Sequence, residues 1–326
     1  MKPSPRRDGR PRPSPRFSVR MTCCACCVLG LLGLPAAGVR AADEASPLAD
    51  RLLPLIKAHR GRVGAAVKNL KTGESFAYQA DEPMPTASLI KFPVLVELYR
   101  QVDAGQVDLG KMLVLNESDK APGSGILTTQ FSAGASFPLR DAARLMIAYS
   151  DNTATNLVLD QIGLSATTET MEQLGYPNTR LHHKVYLGDK TSIDRERSEK
   201  YGLGSTTAAE MLRLYEALAR GELASPESTK AMRRHLRACE ERNKFPRFLP
   251  YGTVLAFKGG SVDQARTAAG IIESPAGPLA LCVLTAENED RSWTPDNAGD
   301  RLCAEIAREV FAYFNPGPGE SAAPRP

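Results

Sequence analysis

The sequence predicts an α/β fold of the α+β kind: an antiparallel five-stranded sheet formed by both termini, flanking helices, and an inserted all-helical lobe. Three observations predict it. Strand patterns occur near the start, at 62–70 and 75–79, and return near the end, at 253–257, 267–273 and 279–285. Between them, from Ser88 to about Cys239, almost every periodic segment spaces its apolar residues by three and four. Amphipathic patterns at 46–59 and 298–314 bracket the chain, so each end brings a helix to cover the sheet.

The elements follow in order. The first 40 residues carry eight basic side chains against the single acid Asp8, and an apolar run from Thr22 to Ala37 follows. With Val39-Arg40-Ala41 behind it, this reads as a secretory signal peptide over 1–41, implying a periplasmic or secreted protein. The run is broken by Gly30, Gly33 and Pro35, so no integral span is expected once it is removed. The leader also holds the basic excess. The whole chain is +4 and the leader supplies +7, which leaves about −3 for the remainder. No basic stripe with interleaved aromatics survives, which excludes nucleic acid as a partner.

Ser46-Pro47 opens the first helix, and Lys71-Thr72-Gly73 turns the first strand pair into a hairpin. Helical segments at 139–149, 153–162, 206–218 and 225–237 fill the middle. Turns are expected at Gly259-Gly260 and at 274–277, and the tail 315–326 is Pro/Gly-rich and expected to be disordered. The domain therefore spans 42–314, with a sheet lobe at about 46–87 and 250–314 and a helical lobe at about 88–249. Four of seven cysteines lie in the leader; Cys239, Cys282 and Cys303 remain, as one disulfide pair plus a free thiol or as three buried thiols. His59, His182, His183 and His235 form no zinc-ligand pattern, so no metal site is expected.

Chemistry enters at Ser88-Leu89-Ile90-Lys91. Ser88 falls at the entrance of a helix, where it reads as an N-cap in the field of the dipole. Lys91, three residues on, shares its face; a desolvated lysine loses its charge and accepts a hydroxyl proton. A Ser-x-x-Lys pair alone is common by chance, and two further motifs decide its meaning. Ser150-Asp151-Asn152 sits between two amphipathic segments, and Lys258-Gly259-Gly260 ends an apolar strand.

In order, spacing (62 residues from Ser88 to Ser150, 108 from Ser150 to Lys258) and context, the three motifs resemble the penicillin-recognising serine hydrolases, most closely class A β-lactamases. The likeness covers about residues 46–314 and implies a β-lactamase/transpeptidase-like fold. It implies Ser88 as the nucleophile forming an acyl-enzyme, Lys91 as proton acceptor or electrostatic partner, and Ser150 as proton relay to the leaving nitrogen. It further implies that Asn152 binds the substrate's side-chain amide and that Lys258 attracts its carboxylate. The oxyanion falls to the backbone N–H groups of Ser88 and Ser261, Gly260 allows close approach of the strand to the ligand, and Arg266 is a candidate second carboxylate anchor. No cofactor is required. The expected partner is a small β-lactam or cell-wall peptide substrate, and a monomer is expected.

Two departures stand out. Gly259 replaces the family's Thr or Ser, removing a hydroxyl that helps bind the carboxylate. No asparagine occurs between Asn178 and Asn243, so the Glu-x-x-x-Asn deacylation motif is absent. Asp189, Asp194, Glu196 and Glu199 lie in its place, as candidate bases or as solvated loop charges. The sequence thus supports an exported serine β-lactamase, with two alternatives: a D-Ala-D-Ala peptidase-like or esterase relative, and a lactam- or muropeptide-binding protein without turnover.

Overall fold

The computed structural model describes residues 46–317 together with Met1. The expected leader at 1–41, and the tail from 318 onward, lie outside the described residues. Helix α1 (Pro47–Ala58) begins where Ser46 Oγ accepts from Ala49 N at 3.1 Å, with proline at the first helical position. Strands β1 (Arg62–Asn69) and β2 (Ser75–Tyr78) form the first hairpin. The inserted segment contributes α2 (Lys91–Asp103), α3 (Leu139–Ala148), α4 (Asn152–Ile162), α5 (Ala208–Arg220) and α6 (Pro226–Arg237). Strands β3 (Leu255–Val262), β4 (Ala265–Ile272) and β5 (Leu279–Ala286) return to the sheet, and α7 (Ala298–Phe314) follows.

The five strands lie in the order β2-β1-β5-β4-β3, every pair antiparallel. Strand β5, paired with β1 across residues 62–69, is therefore central, and both ends of the chain complete one sheet. All eight of its residues are buried, because both faces are covered. Leu279, Leu281 and Val283 pack with Leu48 and Leu52 of α1 and Ile306 and Val310 of α7. Ala280, Cys282, Leu284 and Ala286, offset by one, join Phe92, Leu95, Leu212 and Tyr215 on the helical side. The period of two sorts one apolar run onto two cores. Each large apolar side chain so buried contributes roughly 1.5–3 kcal/mol.

The structure corrects the expected strand end. Gly259-Gly260 is not a turn: β3 runs on through it, pairing Lys258 with Ala269 and Val262 with Ala265, and Asp263-Gln264 makes the turn. Neither glycine has a left-handed φ; what each position requires is space. The inserted segment also carries short strands, Met112–Val114 with Ser136–Pro138, and Gly204–Thr206 between Met84–Pro85 and Arg180–Leu181. Cys239, Cys282 and Cys303 are buried free thiols. No helix among the described residues is long and apolar enough to cross a membrane.

Candidate active site

Ser88 lies within a 3-10 turn, Ala87–Ile90, that leads into α2. It is not the expected N-cap; Thr86 holds that position, without a side-chain capping bond. Ala87 is left-handed at φ 45, a strained geometry that re-aims the chain immediately before Ser88. Gly260 fixes the turn from the other side. A Cβ there would lie 2.6 Å from Thr86 O and 2.7 Å from Ser88 N, so β3 approaches the Ser88 turn itself, where the sequence had suggested approach to a ligand. Gly260→Ala is expected to cost about 1–3 kcal/mol, read as a lower midpoint in a thermal melt, because backbone must move.

Ser88, Ser150, Lys258, Gly260 and Ser261 line one cleft of about 450 Å³ between the sheet and the helices. Lys91 is fully buried beside it. Its Nζ donates to Ser150 O (2.5 Å), Ser150 Oγ (3.2 Å) and Asn152 Oδ1 (2.9 Å). No hydrogen bond joins it to Ser88 Oγ, so the expected contact is replaced by one to Ser150. Burial, helped by the charge of Lys258 and opposed by Asp151, holds the Lys91 amine well below the ordinary lysine range. Lys258 reaches Ser150 Oγ from the opposite side at 3.0 Å and also donates to Gly259 O at 2.5 Å. Burial lowers its pKa as well, opposed by Cys239 and reinforced by Lys244. One hydroxyl thus stands between two buried amines.

The Ser150 backbone is also left-handed, at φ 52, where α3 gives way to α4. Asp151 caps α4 at Ala154 N (2.8 Å) and accepts from Ile126 N (2.7 Å) and Leu127 N (2.9 Å). The loop before Leu127 is thereby tied to the helix entrance. Asn152 Nδ2 donates to Pro122 O at 2.8 Å while its oxygen receives Lys91. Nδ2 keeps a second N–H beyond the one given to Pro122 O.

Arg266 does not present the free guanidinium expected of a carboxylate anchor. It is 1% exposed. Its guanidinium donates to Val262 O, Ala265 O (3.1 Å) and Ser292 O (2.7 Å), and Nε lies 3.6 Å from Asp300. Trp293 covers it, 4.7 Å from ring centre to guanidinium carbon. These donors are spent on holding the wall of the cleft.

The loop that takes the place of the deacylation motif is fixed by Asn156. Four residues after Asn152, Asn156 donates to Val185 O at 3.1 Å and accepts from Val185 N at 2.9 Å. The i,i+4 spacing of two asparagines on one helix face is the signal that would have found it. None of the four candidate acids lines the cleft. Asp194 caps a short helix at Arg197 N, Glu199 pairs with Arg195, Glu196 is exposed, and Asp189 is exposed in Gly188–Thr191. The carboxylates that do border it are Glu240, Glu241 and Asp300. Sequence reasoning singled out none of them, and it also missed Lys244, which binds the latter two.

A two-lobed frame with these three motifs meeting at one cleft is the β-lactamase/transpeptidase-like class of architecture. The chain matches the Beta-lactamase enzyme family over residues 47–314. It is 30% identical over 271 residues to a β-lactamase of Streptomyces cellulosae, covering 79% of this chain and 85% of that protein. Its structure is similar to a β-lactamase from Sphaerobacter thermophilus, with 30% identity, TM-score 0.72, and coverage of 83% and 98% of the two chains. It is also similar to a PBP-A variant solved as an acyl-enzyme with penicillin G, with 26% identity, TM-score 0.71, and coverage of 82% and 96%. The chain belongs to the β-lactamase enzyme family.

Proposed function

We propose that the protein is an exported serine hydrolase of the class A β-lactamase type, with 1–41 as its export signal and 42–314 as its catalytic domain. The observation that carries the reading is the convergence of Lys91 and Lys258 on Ser150 Oγ beside Ser88, in a member of this family. In the reaction, Ser88 Oγ attacks the lactam carbonyl and its proton passes to Lys91, whose amine burial holds well below the ordinary lysine range. The oxyanion accepts from the backbone N–H groups of Ser88 and Ser261. As the C–N bond breaks, the Ser150 hydroxyl gives its proton to the departing nitrogen and is replenished from Lys91. Lys258 attracts the substrate carboxylate. Water then cleaves the ester on Ser88.

The second step needs a base to activate the water. The Glu-x-x-x-Asn motif is missing from the sequence, and no acid between 189 and 199 borders the cleft. These observations, with the likeness to PBP-A, favour a second reading: a peptidase-like or esterase relative that lactams acylate and leave slowly. Rapid mixing with a chromogenic cephalosporin separates the two. Colour release well beyond one equivalent per protein supports the lactamase; release that halts at one equivalent supports the second reading.

A further inference from the structure

Trp293 is the only tryptophan of the chain, and it stands 67% exposed on the wall of the cleft that holds Ser88. An indole this open forgoes the burial that large aromatic side chains usually gain. It is nevertheless held on two sides. Its Nε1 donates at 2.9 Å to Asp263 Oδ1, in the turn between β3 and β4. The Arg266 guanidinium lies against one face, 4.7 Å from the ring centre, and is itself fixed by Ala265 O and Ser292 O.

The backbone on either side of the indole is pinned as well. Ser292 N donates to Asp290 Oδ1 at 2.9 Å, Asn297 Nδ2 to Ser292 O at 3.0 Å, and Asn297 N to Thr294 O at 3.1 Å. Asn297 is buried and caps α7, so the loop is anchored in the helix start. A ring braced at its edge and on one face keeps its orientation, and the other face is left to solvent. Shielding Arg266 uses only the braced face. Stacking a second ring on the open face costs little ordering, because the indole is already immobile.

We infer that the open face of Trp293 is a stacking platform for a planar ring that the acyl donor carries next to its carboxylate. This deepens the proposed function and rests on it, since that reading places the carboxylate at Lys258 and the side-chain amide at Asn152. Trp293 shares its stretch of wall with Arg266 and Ser261, so it meets the carboxylate-bearing part of the ligand. The platform selects the substituent beside the carboxylate; the carboxylate itself is not what it binds. Asp263 is the positioning residue that holds the edge of the indole.

The test uses two cephalosporins that differ only at the ring carbon next to the carboxylate-bearing one, with a phenylvinyl group there or a methyl group. Acylation rates are followed by intact-protein mass in the parent, Trp293→Ala, Trp293→Phe and Asp263→Ala. The parent is expected to favour the phenylvinyl compound. Trp293→Ala should lower that preference about three- to tenfold, the contribution of one aromatic pair. Trp293→Phe should keep the larger part of it, and Asp263→Ala should lose part. A second readout leaves the platform intact: in Ser88→Ala, acrylamide quenching of the lone tryptophan should weaken once equilibrium dialysis shows the phenylvinyl compound bound, and not with the methyl compound bound. A preference absent from the parent, or equal in the parent and a folded Trp293→Ala, overturns the inference and leaves the proposed function standing. Unchanged quenching with the phenylvinyl compound bound does the same. No adduct on the parent from either compound overturns both.

Discussion

Ser88→Ala is expected to abolish acylation by penicillins and colour release from cephalosporins, by at least about 10⁴-fold, with the thermal midpoint little changed. The magnitude follows from the role: a nucleophile that forms the covalent intermediate has no substitute, and its loss removes the whole two-step path. Little structural cost is expected because, among the described residues, Ser88 Oγ makes no hydrogen bond that holds the turn; Gly260 against Ser88 N and Thr267 Oγ1 donating to Thr86 O at 2.8 Å do that work. A melt by circular dichroism beside the acylation assay separates lost chemistry from lost fold.

Lys91→Met is expected to lower acylation by about 10²–10⁴-fold, the range of general base catalysis, and to change the shape of the pH profile. Lys91 acts as acceptor only when neutral. Its pKa lies well below the ordinary value, so the rate rises as pH climbs through that pKa. Lys258 works only when charged, and its pKa is lowered too, so the rate falls as pH climbs through it. The parent profile is therefore a bell whose acid limb belongs to Lys91 and whose alkaline limb belongs to Lys258. Lys91→Met should lose the acid limb and keep the alkaline one. Retention of both limbs would assign the acceptor to another group. Methionine matches the stem in length but leaves Asn152 Oδ1 and Ser150 O without their donor, so part of the loss is geometric.

The frame was legible because its signals are local. Strand patterns at both ends with helical periodicity between them define a sheet closed by the termini, and β5 shows why it reads as one apolar run. The Ser88 turn and the two further motifs that meet it at one cleft could be picked out by residue type and order. Their contacts could not. Lys91 was expected to serve Ser88, yet its amine is aimed across the cleft at Ser150 and Asn152, a pairing over 59 and 61 residues that no local pattern encodes. Gly259-Gly260 read as a turn because paired glycines usually make one. Here they are strand positions stripped of side chains, one to admit the Ser88 turn and one to admit Lys244.

Charge was the least legible property. Arg266 looked like a surface anchor because arginine in a strand usually faces water, and instead it is enclosed by carbonyls, Asp300 and Trp293. Lys244 sits in the unpatterned stretch between α6 and β3, with acids near in sequence (Glu241) and far from it (Asp300). Only the folded chain brings those two together around one ammonium and gives the lysine its place beside Ser261.

The covalent intermediate proposed on Ser88 is tested by proteolytic mapping, by tandem mass spectrometry, of the protein quenched seconds after mixing with penicillin G. One penicilloyl adduct is expected, on the peptide containing Ser88 and on the Ser88 hydroxyl, absent from Ser88→Ala. An adduct on Ser150, on a lysine, or on no residue while the lactam is consumed would contradict that assignment.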